Sequence, residues 1–220
     1  MSKSNTYKAG RHFLQVPGST NIPDRVLRAI DAPAMDHRGP KFQELSKRIL
    51  ERIKLIFKST DPVVIFPSAG TGAMEAALAN TLNEGDKILM FETGHFATEW
   101  CQAAQRYRIN VDFVPGDWRT GADPKIVEQK LLADKKHEIK AVLVTHNETS
   151  TGIKSRVEEI RKVIDKTNHP ALFMVDTISS LGSYNYEHQK WKVDVTVGGS
   201  QKGLMCPPGL SFNVMSNKAL

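Results

Sequence analysis

Short apolar runs recur along the chain with helix-forming stretches between them, and this alternation restricts the possible fold more than any other feature. "PVVIFP" (62–67), "DKILMFET" (86–93), "NVDFVP" (110–115), "IKAVLVTHNE" (139–148) and "ALFMVDT" (171–177) are short and rich in β-branched and apolar residues, so each predicts a strand. "GAMEAALANTL", "FATEWCQAAQRYR", "PKIVEQKLLADKK" and "SRVEEIRKVIDKT" lie between them and carry helix formers, with proline opening the third. "VDVTVGG" (193–199) and "LSFNVMS" (210–216) complete the strands. Strands buried on both faces and separated by helices imply an α/β fold, a mostly parallel sheet with helices on both faces. The first sixty residues differ. "QVPGSTNIPDRVLRAIDAP" reads as a loop with two prolines leading into a helix, and "KFQELSKRILERIKLIFKS" follows as a long amphipathic helix. Its Phe42, Leu45, Ile49, Ile53 and Phe57 recur at spacings of three and four, a stripe to be buried either in its own domain or against another subunit.

Composition then removes several function classes. No apolar run approaches the roughly 18 residues of a membrane-spanning helix, and "MSKSNTYKAGRHF" has no apolar core of a signal peptide. Cys101 and Cys206 have no metal-ligand spacing and build no disulfide framework, which suits a cytoplasmic protein. The net charge of +6 raises nucleic acid as a partner, but the basic residues are interleaved with acidic ones as on solvated helix faces. Neither nucleic acid nor membrane is therefore expected as a partner.

Ligands of open α/β sheets sit at the carboxyl ends of the strands. Those ends carry Ser68–Gly72, then Thr93–Phe96, then His146–Gly152, then Asp176–Ser180, then Gly198–Lys202. "SAGTGAMEAA" is a small-residue turn opening a helix, which suits an anion or simply a tight turn. It lacks the third glycine of a dinucleotide fingerprint and the GK[ST] of a P-loop, so nucleotide cofactors are poorly supported. Asp176 ends a buried strand, where a carboxylate is either a cap or the partner of a cation. Lys202 follows another apolar strand; it is either a surface lysine or an amine made nucleophilic by a walled site. An anion site, an aromatic, a buried acid and a lysine together suit pyridoxal 5'-phosphate, which needs a lysine Schiff base and an acidic partner for its pyridinium nitrogen.

"PGSTNIP", "DHRGPKF", "PSAGTGAMEAAL", "THNETSTG", "VDTISSLG" and "GSQKGLMCPPGLSF", in that order, resemble the class V aminotransferases of fold type I, and within them the serine–glyoxylate and alanine–glyoxylate group. The resemblance covers essentially the whole chain. It implies that Lys202 carries the cofactor and that Asp176 faces the pyridine nitrogen. Ala69, Gly70 and Thr71 match the phosphate turn, and Gln201 a phosphate-contacting position. Phe96 matches the aromatic stacked on the ring, Thr149 the hydroxyl beside its O3′, and Gly18 the loop lining the substrate side. Gln201 before the lysine separates the chain from the cysteine desulfurases, which place histidine there.

The family is implied to be homodimeric, with a C-terminal small domain that supplies the arginine for the substrate carboxylate. No residue of this chain matches that arginine. The expected organisation is thus an N-terminal segment and interface helix (1–60) and a cofactor-binding large domain (61–220), with the small domain absent. The expected reaction moves an amino group from serine or alanine to glyoxylate. Two other readings compete: another class V enzyme of the lyase or desulfurase type, and a non-catalytic basic scaffold.

Overall fold

The computed structural model describes residues 13–220, so residues 1–12 of the expected N-terminal segment lie outside the described residues. The chain runs α1 (Asp24–Ile30), α2 (Pro40–Phe57), β1 (Val63–Phe66), α3 (Gly70–Thr81), β2 (Lys87–Phe91), α4 (His95–Arg106) and β3 (Asn110–Val114). It continues with α5 (Pro124–Ala133), β4 (Ile139–Thr145), α6 (Val157–Thr167), β5 (Leu172–Asp176), β6 (Val195–Gly199) and β7 (Ser211–Met215). All seven strands join one sheet in the order β1-β7-β6-β5-β4-β2-β3.

The strand pairs β2–β3, β2–β4, β4–β5 and β5–β6 are parallel, and β7 opposes both of its neighbours, β6 and β1. The sheet is therefore mostly parallel, as the alternation predicts, with β7 reversed. The reason is local. The connection 200–210 is too short to recross the sheet, a step that takes a dozen or more residues and usually a helix, so the chain turns back on itself. Ser200 pins this turn: its N–H donates to the Leu210 carbonyl at 3.0 Å and its hydroxyl to the Pro207 carbonyl at 2.6 Å.

Side chains alternate across each strand, so the two faces carry different residues of the same run. Ile88, Met90, Ala141, Leu143, Met174, Val195 and Val197 pack under α3 and α4, against Ala73, Met74, Leu78 and Trp100. Leu89, Phe91, Val142, Val144, Phe173 and Val175 face α5 and α6, against Val127, Leu131, Ile160 and Ile164. This is why the strand sequences read as continuous apolar runs. Asp176 has the parity of Met174 and so belongs to the face of α3 and α4, in line with Lys202 on the loop beyond β6.

The α2 stripe is divided. Ile53 and Phe57 enter the core of the same chain, with the Phe57 ring 6.3 Å from that of Phe212 in an edge-on arrangement. Phe42 and Ile49, about three turns and one turn upstream of Ile53, remain 38% and 42% exposed. Among the described residues no helix is long and apolar enough to cross a membrane.

Candidate active site

The carboxyl ends of β1, β5 and β6 open on one cavity of about 270 Å³. All nine residues singled out from the sequence line it. Ala69, Gly70 and Thr71 form its floor at the start of α3; Phe96 comes from the first turn of α4 and Thr149 from the loop after β4. Asp176 ends β5, Gln201 and Lys202 follow β6, and Gly18 comes from the N-terminal loop. Met74, Ile178, Pro17 and Ser19 complete much of the wall and were not foreseen. Ile178 stands two residues after Asp176, and only the fold turns it toward the helix start.

Asp176 is 3% exposed. Its Oδ1 accepts the Ile178 N–H at 2.8 Å. Burial pushes its pKa up from 3.8 to about 7; the nearby Glu148 charge adds to the rise, while the Ile178 N–H and Lys202 oppose it. A carboxylate in this state is stabilised by any cation brought against it. Lys202 is half-buried. Its Nζ donates to the Pro17 carbonyl at 3.1 Å and stands 5.6 Å from the centre of the Phe96 ring. Burial lowers its pKa, against the pull of Asp176 and Glu148. The N-terminal loop is fastened to the same segment by the Thr20 N–H, which donates to the Gln201 carbonyl at 3.2 Å.

The α3 start can receive an anion. The first N–H groups of a helix have no partner within it, and the N-cap residue Ala69 supplies no side-chain acceptor. Thr71 adds a hydroxyl at the cavity. A Cβ on Gly70 would fall 2.4 Å from Ile178 Cδ1, so only glycine permits this close approach. Gln201 Oε1 is buried without a hydrogen-bond partner. A half-turn of that amide exchanges O for N and offers a donor to an anionic oxygen. Open helix N–H groups, a buried acid of raised pKa and a lysine of reduced basicity fit the phosphate, ring nitrogen and aldehyde of pyridoxal phosphate.

One consequence is measurable in the chain without cofactor. The folded pKa of Asp176 lies above its unfolded value, so folding favours the protonated acid. The stability it confers is complete below about pH 4 and is lost as pH rises through about 7, a difference of at most about 4 kcal/mol. Denaturant midpoints should fall across that window, and Asp176→Asn should flatten the fall. An equally steep fall in the variant would show that another group causes it.

The sequence of residues 12–220 matches the family model described as aminotransferase class-V. The chain is 49% identical over 216 residues to the serine–glyoxylate aminotransferase of Methylorubrum extorquens, a match covering 98% of this chain and 54% of that protein. It is 45% identical to the L-aspartate–glyoxylate aminotransferase of Paracoccus denitrificans over 93% of this chain and 52% of that protein. Its fold superposes on the crystal structure of an alanine–glyoxylate aminotransferase from Nostoc sp. with a TM-score of 0.86 and 29% identity, covering 99% of this chain and 57% of the other. The chain thus spans about half the length of the curated relatives it matches.

Proposed function

The chain belongs to the class-V aminotransferase family, and on that premise we propose that it is the cofactor-binding domain of a pyridoxal-phosphate-dependent transaminase that passes an amino group from serine or alanine to glyoxylate. The observation that carries this reading is the meeting of Lys202, Asp176 and the open start of α3 in one cavity. Glyoxylate as acceptor rests on the names of the relatives, which agree on it while differing in the amino donor.

Each residue has a task set by its surroundings. The α3 N–H groups, the Thr71 hydroxyl and the turned Gln201 amide hold the phosphate. Phe96 would cover one face of the ring, and the Thr149 hydroxyl would meet its oxygen; both line the cavity. Asp176 would accept a hydrogen bond from the protonated ring nitrogen, whose positive charge would keep the carboxylate ionised. Bound in this way, pyridoxal phosphate supplies an electron sink for the pair left behind when the Cα–H bond of the amino acid breaks. Lys202 is the attachment point. Its free Nζ would take the substrate's Cα proton and give it back across the imine nitrogen, acting as base and then as acid. A lysine with lowered pKa suits both roles, because it is neutral more often than one in water. Gly18, with no side chain, leaves room on the substrate side.

The full-length protein should convert serine or alanine with glyoxylate into glycine and the matching 2-oxo acid in a coupled assay. Release of sulfur from cysteine in place of this exchange would instead support a desulfurase.

We also propose a cytoplasmic homodimer. The support is the unburied half of α2, where Phe42, Ile49 and Leu50 are exposed, together with exposed Leu27 and Ile30 of α1. Exposed apolar area of this kind marks contact surfaces. Light scattering should find the 220-residue chain dimeric or aggregating, with weak cofactor affinity. A stable monomer would assign the α2 face some other role.

A further inference from the structure

Glu148 is fully buried (0% exposed) and has no role in the scheme above. Its carboxylate is nevertheless the most heavily hydrogen-bonded acid near the cavity. Oε1 accepts the Phe96 N–H at 3.3 Å, the Ser150 N–H at 3.1 Å and the Ser150 hydroxyl at 2.9 Å; Oε2 accepts the Ala97 N–H at 3.0 Å. Ser150 Oγ in turn accepts the His95 N–H at 3.0 Å. Three consecutive N–H groups at the α4 start are thereby satisfied from a loop more than fifty residues away. One end of this clamp carries Phe96. The other carries Thr149, between Glu148 and Ser150. Gly94 makes the approach possible: a Cβ there would lie 2.4 Å from Glu148 Cγ and 2.6 Å from Ser150 Oγ.

We propose that Glu148 is a positioning residue that fixes Phe96 and Thr149 at the cavity, where they would meet the cofactor's ring face and its oxygen, and fills the α4 start, so that the phosphate is directed to the start of α3. The inference rests on the pyridoxal-phosphate reading of the cavity. Two helices, α3 and α4, begin at the same edge of the sheet, and each start attracts an anion. At α4 an internal carboxylate already occupies that place. At α3 the N-cap contributes no side chain. The asymmetry leaves one open anion site, and it is the one on the Lys202 side of the cavity. Glu148 also places a negative charge within reach of both Asp176 and Lys202.

The test uses the full-length protein loaded with pyridoxal phosphate and three variants. E148Q keeps the length but removes the charge and turns one acceptor into a donor facing N–H groups. E148D keeps the charge and loses one methylene of reach. S150A removes only the hydroxyl that joins Glu148 to His95, a milder change should the others fail to fold. Each should weaken cofactor binding, roughly tenfold for the two Glu148 variants, the scale of one lost charge-assisted hydrogen bond. Each should alter the circular dichroism induced in the bound cofactor. E148Q alone should lower the pH midpoint of the lysine-linked absorbance band, because it alone removes the negative charge. A residue that merely stabilised the fold would lower the melting temperature and leave affinity, induced signal and midpoint as in the parent, and that result would overturn the proposal. Failure of the parent chain to take up pyridoxal phosphate would instead overturn the reading of the cavity, and this inference with it.

Discussion

Replacing Lys202 by alanine abolishes attachment of the cofactor and lowers transamination by the full-length enzyme by at least about a thousandfold, within the 10²–10⁴ range of a lost proton-transfer group. The loss should be this large because two tasks fall on one amine. In the proposed reading Lys202 both holds the cofactor and moves the substrate proton. Stability should barely change. Lys202 is half-buried and donates one hydrogen bond, to the Pro17 carbonyl, at the edge of the cavity. Substitutions of this kind away from the core cost within about 0.5 kcal/mol. Thermal melting and visible absorbance measured together separate the two effects. A variant that keeps the absorbance band would place the attachment on another lysine.

Asp176→Asn is the second large effect. A neutral amide cannot stabilise the charged ring nitrogen, so the electron sink weakens without any change in side-chain shape. Turnover should fall by about a thousandfold, roughly 4 kcal/mol at 1.4 kcal/mol per tenfold. The protein itself should not suffer. In the absence of a cation the buried carboxylate is a burden near neutral pH, since burial raises its pKa to about 7. The cofactor-free variant should thus be as stable as the parent or more so at pH 7, while the loaded enzyme is nearly inactive. Opposite signs for stability and activity are a stringent check. Near-normal turnover would reduce Asp176 to a cap for Ile178, whose N–H it accepts.

Much of the architecture was legible because parallel strands covered on both faces must be apolar throughout, and helices between them must be amphipathic. Asp176 and Lys202 could be read for the same reason, since each is a charge placed where an apolar run ends. The place of β1 could not. Its four residues look like any other buried strand, yet it lies at the sheet edge beyond β7, a pairing set by the reversal at loop 200–210. Glu148 was also out of reach. It stands among small polar residues in "THNETSTG", where a carboxylate reads as one more loop side chain. Its importance comes from α4, whose first N–H groups it meets only after β4 and β2 pair. Periodicity along α2 revealed an apolar stripe but not its division between Ile53 and Phe57 in the core and Phe42 and Ile49 outside it. Ile178 illustrates the same limit, since its contact with the α3 start depends on a turn that Asp176 itself caps.

The central claim is that Lys202 joins the cofactor in a cavity whose acid is Asp176. Borohydride reduction of the chain after incubation with pyridoxal phosphate, followed by peptide mapping by mass spectrometry, tests it most directly. A single reduced adduct is expected on the peptide carrying "GSQKGLMCPPG", at Lys202, and none there in Lys202→Ala. An adduct on a different lysine, or equal labelling of many surface lysines with none preferred, would contradict it.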